Sequence, residues 1–163
     1  MDLNAQMVGF CLDKGLDCRR GDLLETLSLE PDLSLDGVFS SQVIEHLGPE
    51  AIRRLVELAF QKLRSGGTLV LETVNPLSVF ALVHIYFLDM SHRTPVHPQA
   101  LRFLLESAGF EDIELRESQP LEGERLSALP VSDEASAVLN RNIDSLNALL
   151  FAPPNFAVMG KKP

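Results

Sequence analysis

Asp36-Gly37-Val38-Phe39-Ser40-Ser41 and Thr68-Leu69-Val70-Leu71-Glu72-Thr73-Val74, with one helical stretch between them, decide the fold. Both are short apolar runs of the kind that forms buried strands, and Pro76 ends the second. Between them Gly48-Pro49 opens a helix, with proline where a missing N–H costs nothing. Ile52, Leu55, Val56, Ala59 and Leu63 then recur on one face of a 3.6-residue period, and Gly66-Gly67 is expected to close the helix. Strand, helix, strand in this order predicts a βαβ crossover and parallel pairing.

Working outward, the same alternation continues. Asn4 to Lys14 reads as a helix, with Asn4 as its N-cap, Gly15 as its stop and Met7, Val8, Cys11 and Leu12 on its apolar face. Asp17 to Arg20 is a short strand candidate ending at Gly21-Asp22, and Leu24 to Leu33 reads as loop with a helical turn. Downstream, Leu77 to Leu88 is a buried helix or lid, Pro98 to Ala108 a helix stopped by Gly109, and Asp112 to Glu117 a strand. Ser132 is expected to cap a helix with Leu139, Ile143, Leu146 and Leu150 as a core or dimer stripe, before a last strand from Asn155 to Met159. The prediction is one α/β domain over residues 1–163, its sheet mainly parallel with helices on both faces. In such sheets ligands bind beyond the carboxyl ends of strands. Asp22, Ser41 to His46 and Glu72 to Asn75 therefore carry the functional weight.

Composition narrows the function. A chain of 163 residues with 45% hydrophobic and 23% charged residues can bury a core without a disulfide or metal. A net charge of −9 would repel phosphates, so no nucleic acid is expected, and no anionic membrane surface either. The apolar stretch Leu77 to Leu88 is shorter than the roughly 20 residues a membrane-spanning helix needs. Cys11 and Cys18, with no CxxC, suit a reducing, cytoplasmic location.

Several motifs in the right order resemble class I S-adenosylmethionine-dependent methyltransferases. Asp36 to Leu47, through Ser41-Gln42-Val43-Ile44-Glu45-His46, resembles their fourth-strand motif, and Leu63 to Glu72 the junction into the fifth strand. Asp2-Leu3-Asn4 with Met7 is similar to the end of the second strand, and Arg20-Gly21-Asp22 to the end of the third. Phe87 to Pro98 resembles a segment of bacterial members, some tied to surface-polysaccharide synthesis. The resemblance implies a Rossmann-like methyltransferase sheet, mostly parallel with a C-terminal antiparallel hairpin-type strand pair, and N-terminally truncated, because the first two strands and the glycine-rich loop would precede Asp2. It implies S-adenosylmethionine as cofactor, with binding weak or absent without that loop.

Residue by residue, the resemblance makes Asp2 and Asn4 cofactor-binding at the ribose side. Asp22 and Leu23 would meet the adenine, and Ser41 and Gln42 would line the methyl-transfer end. His46 and His92 are the catalytic candidates, and Arg93 and His97 the substrate-binding ones, in the chain's one basic cluster. Some quinone O-methyltransferases bind metal through Glu-x-x-Glu-His. Gln42 stands at the first position here, so no metal is expected. The implied reaction is methyl transfer to an oxygen or nitrogen of a small molecule or sugar. The alternatives are a non-catalytic interaction module and, less favoured, an NAD-type nucleotide-binding fragment. With its neighbours missing, the apolar edge Gly37-Val38-Phe39 is expected to pair with a second copy as a homodimer.

Overall fold

The computed structural model describes residues 1–163, apart from the side chain of Glu122. Four strands form one sheet: β1 (Leu35–Ser41), β2 (Leu63–Val74), β3 (Glu111–Glu117) and β4 (Asn155–Lys161), in the order β1-β2-β4-β3. β1 and β2 pair in parallel, with Val38 opposite Leu69 and Ser41 opposite Glu72. β4 inserts antiparallel between β2 and β3. The α/β class and the antiparallel C-terminal pair are as expected, but only one of the three pairings is parallel, so the sheet is mixed. The last strand enters the sheet after the helix Glu134–Leu150 and runs opposite to both of its neighbours, β2 and β3.

Six helices accompany the sheet: α1 (Ala5–Asp13), α2 (Leu23–Leu29), α3 (Pro49–Lys62), α4 (Val79–His84), α5 (Pro98–Ala108) and α6 (Glu134–Leu150). The core lies on one face of the sheet. There Leu69, Leu71, Phe156 and Val158 pack against Ile52, Leu55, Val56 and Ala59 of α3 and Leu101 and Leu105 of α5. Alternation along the strands puts Phe39, Val70 and Met159 in one row on the opposite face, with Phe39 68% exposed. The expected helices on both faces thus become one well-packed helical layer.

Five local expectations change. Asp17–Arg20 forms no strand; Arg20 alone pairs with Asp2, in an isolated parallel bridge. α1 is capped by Asn4 as expected, yet only Val8 is buried, because no strand lies beneath the helix to receive Met7 and Leu12. α3 ends at Lys62, before Gly66-Gly67, because Leu63 is already extended and pairs with Leu35. The Nζ of Lys162 donates to the carbonyls of Phe60 and Leu63, doing the work expected of a C-terminal glycine. α6 is capped by Asp133, not Ser132, and leaves Leu139 and Leu146 exposed. Its buried side chain is Asn147, which both donates to and accepts from the backbone of Leu126. Leu77–Leu88 splits into α4 and a 3-10 turn, with Ala81 and Tyr86 buried and Phe87 and Leu88 outward.

Candidate functional site

The carboxyl end of β1 leads straight into the site. Gln42 adopts φ 54°, the left-handed region that a non-glycine residue rarely occupies, and so turns the chain sharply. Its N–H donates to the Glu72 carbonyl, and its side-chain amide donates to Asn155 Oδ1 at 3.3 Å. Ser41 Oγ donates to Glu72 Oε1 at 3.0 Å. Glu72, Asn155 and Phe156 also line a shallow cleft with Arg116, Glu117 and Ser118. Sequence reading flagged Glu72 only by its place after a strand and missed Asn155, which approaches from the far end of the chain.

After the turn, Ile44–His46 forms one 3-10 turn that buries Ile44 and Glu45. The loop carrying His92 is clasped onto it. Arg93 N–H and Thr94 N–H both donate to the Glu45 carbonyl, and Thr94 Oγ1 donates to the Leu47 carbonyl. This brings the imidazoles of His46 and His92 to a centroid separation of 4.6 Å. Two residues 46 positions apart in sequence become neighbours through backbone hydrogen bonds that no side-chain pattern announces.

The hydrogen bonds also fix which nitrogen is protonated. His92 Nδ1 lies 2.5 Å from the Tyr86 carbonyl, which only accepts, so Nδ1 carries the hydrogen. Ser91 spends its hydroxyl hydrogen on Asp89 Oδ1 at 2.6 Å and therefore accepts from His46 Nδ1, at 2.9 Å. In its neutral form each ring therefore keeps its lone pair on Nε2. The Ser91 hydroxyl, and then its backbone N–H, hold the Asp89 carboxyl below the usual range. Burial, with Glu45's charge adding, raises the Tyr86 phenol. Asp89 and Ser91 were not read as site residues; their one signal was an Asx turn, Asp89-Met90-Ser91.

The remaining candidates occupy defined local roles. Asp2 Oδ1 accepts from Asn4 N–H, and Asn4 Oδ1 accepts from Gln6 and Met7 N–H at the start of α1. The bridge between Asp2 and Arg20 puts Asp22 just beyond Asp2's partner, so the two carboxylates end adjacent extended segments. Asp22 Oδ1 caps α2, and Leu23 packs against the core. His97 Nδ1 caps α5 by accepting from Gln99 N–H. Arg93 is exposed, and none of the ion pairs among the described residues includes it.

Comparison with known proteins identifies this architecture. Residues 1–71 match the family described as Methyltransferase domain. Over 96 residues the chain is 40% identical to a probable S-adenosylmethionine-dependent methyltransferase of Mycolicibacterium smegmatis, covering 59% of this chain. It spans 35% of that relative's length. A SAM-dependent methyltransferase from Archaeoglobus fulgidus superimposes with a TM-score of 0.91 at 36% identity, over 98% of this chain and 73% of that one. Phosphoethanolamine N-methyltransferase 2 of Haemonchus contortus, solved with phosphomonomethylethanolamine and S-adenosylhomocysteine, shares the fold. Its TM-score is 0.62 at 17% identity, over 99% of this chain and 43% of that one. With the mixed sheet, the turn after β1 and these relatives in view, the chain belongs to the class I S-adenosylmethionine-dependent methyltransferases, whose cofactor is S-adenosylmethionine.

Proposed function

We propose that this single domain transfers the methyl group of S-adenosylmethionine to an oxygen or nitrogen of a small molecule or sugar. The observation that carries the reading is the His46–His92 pair, two neighbouring imidazoles with Nε2 lone pairs beyond the carboxyl end of β1. Asp2, Asn4, Asp22 and Leu23 serve the adenosine side of the cofactor. Ser41 and Gln42 serve the side from which the methyl group leaves. His46 and His92 receive the acceptor by accepting its O–H or N–H, and Arg93 and His97 hold an anionic or hydroxylated part of it. An acceptor lone pair then forms the bond to the methyl carbon as the carbon–sulfur bond breaks. Sulfur keeps that electron pair, and the acceptor's proton departs to water. Such a step needs alignment more than acid–base help, which suits a site without a nucleophile-and-base triad.

The sequence contains no Gly-x-Gly-x-Gly loop, whose backbone would approach the methionine part of the cofactor. We therefore read cofactor binding by this chain alone as weak. The test measures S-adenosylhomocysteine formed from labelled donor at high concentration against hydroxylated, amino and sugar acceptors. His92→Ala is expected to lower turnover by about ten- to a hundredfold with folding unchanged. Turnover unchanged from the native chain in both His92→Ala and His46→Ala overturns the acceptor role, and tight calorimetric binding of the donor overturns the weakness.

The same reading includes self-association. β1 is an edge strand, its outer side is unpaired among the described residues, and Gly37-Val38-Phe39 bears no charge to discourage pairing. Phe39 and its row mate Val70 extend the apolar surface beside that edge. Light scattering is expected to give a mass near twice 18.0 kDa, reduced to one chain by Phe39→Lys. A monomer at every concentration overturns it.

A further inference from the structure

We propose that Glu45, His46 and His92 form a three-ligand site for a divalent d-block cation of the zinc type. One ligand atom from each side chain lies within 4.8 Å of the other two. In their neutral form the two imidazoles offer Nε2 to a metal, because Nδ1 is the donor in both. Glu45 supplies the independent reason for a cation. It is 1% exposed; Oε2 accepts from Thr73 Oγ1 at 2.8 Å, and Oε1 has no partner. No lysine or arginine among the described residues forms an ion pair with it. An uncompensated buried carboxylate is costly, and protonating Oε1 would only exchange an unmet acceptor for an unmet donor. A cation held between Glu45 and the two Nε2 atoms answers both deficits at once.

The outer contacts fit the same purpose. Thr73 orients Glu45, the Tyr86 carbonyl orients His92, and Asp89 orients His46 through Ser91. Ligating histidines in metal sites are held in this way by carbonyls and carboxylates. Gln42 takes no part, since its amide is turned to Asn155; the set is completed by His92 from another loop, not by the motif position before Glu45. Two nitrogens and one carboxylate favour zinc, cobalt or nickel over magnesium or calcium, and they leave a coordination position open. A bound cation would supply Lewis-acid polarisation to an acceptor oxygen at that open position. With the cation bound the two Nε2 lone pairs are spent on it, and the histidines then hold the acceptor through the ion instead of directly; that use rests on the methyl-transfer reading, whereas binding itself is measured without donor or acceptor.

The test titrates the chelator-treated full chain with Zn²⁺ by calorimetry and with Co²⁺ by visible absorption. It uses a Cys11→Ser, Cys18→Ser background so that thiols do not contribute. One ion per chain is expected, with tetrahedral-type Co²⁺ bands. His92→Ala, His46→Ala and Glu45→Gln should each weaken binding by more than about tenfold. His84→Ala, at a histidine outside the cluster, should leave it unchanged. Circular dichroism confirms that each variant is folded, and the two histidine variants keep the test decisive if Glu45→Gln is not. No binding near one equivalent, or binding indifferent to His46 and His92, overturns the site. Loss of methyl transfer with cation binding intact would sink the acceptor reading alone.

Discussion

Leu63→Ala is expected to lower the stability of the domain by about 2–5 kcal/mol. Leu63 is fully buried at the junction where α3 gives way to β2, within the main core. The site has little freedom to collapse around a smaller side chain. Leu63 is paired with Leu35, and its carbonyl accepts from Lys162 Nζ at 2.9 Å. Gly67 presses on it closely enough that a Cβ built there would lie 3.0 Å from Leu63 Cδ2. With the backbone of this junction held by these contacts, most of the volume removed stays as a cavity, which puts the cost toward the upper part of that range. Urea unfolding should show a lower midpoint with an unchanged slope. A loss below about 1 kcal/mol would mean that the junction repacks. The site residues touch none of these atoms, so activity per folded molecule should hold.

The elements that were legible in the sequence are those whose information is local. α3 announced itself through its apolar period and the Gly48-Pro49 start. α5 did so through His97-Pro98 and Gly109, which adopts φ 100° as its C-cap. β1, β2 and β4 were legible as apolar runs of strand length. What escaped was set by partners distant in the chain. Whether Asp17–Arg20 becomes a strand depends on what lies beside it, and here only Asp2 does. The apolar residues of α1 and α6 have the right spacing for burial but meet too little surface to be buried. The place of β4 between β2 and β3 follows from pairing, and β-pairing is not written in the period of any one strand.

The site divides in the same way. Ser41, Gln42, His46 and His92 were found from their place after strands and from the family resemblance. The juxtaposition of His46 with His92 came from three backbone acceptances, by Glu45 twice and by Leu47 once. Glu45 was visible only as the acid beside a histidine. That its carboxylate would be buried with one oxygen unmatched depends on Thr73 and on the loop folded over it. Electrostatic consequences of burial of this kind appear only once the neighbours are known.

Asn75→Ala should be nearly as damaging as the core substitution, for the opposite chemical reason. Asn75 is fully buried at the carboxyl end of β2 and is polar. Its Nδ2 donates to the Pro153 carbonyl at 2.9 Å, its Oδ1 accepts from Leu77 N–H at 3.1 Å, and its own N–H donates to the Pro154 carbonyl at 2.8 Å. One side chain thereby ties the exit of β2 to the Pro153-Pro154 corner that feeds β4, and fixes the turn into α4. Alanine keeps the backbone bond but strands the part-buried Pro153 carbonyl and Leu77 N–H, each worth about 1–3 kcal/mol. Together they predict a loss of about 2–6 kcal/mol. Asn75→Asp separates the two halves of the argument. Its carboxylate still accepts from Leu77 but faces the Pro153 carbonyl with no hydrogen to give, so it should be no better than alanine near neutral pH. It should recover part of the loss in acid, where a protonated carboxyl donates again. Thermal melts of both variants across that pH range check the prediction. An Asp variant as stable as the native chain at neutral pH would show that the Pro153 contact contributes nothing.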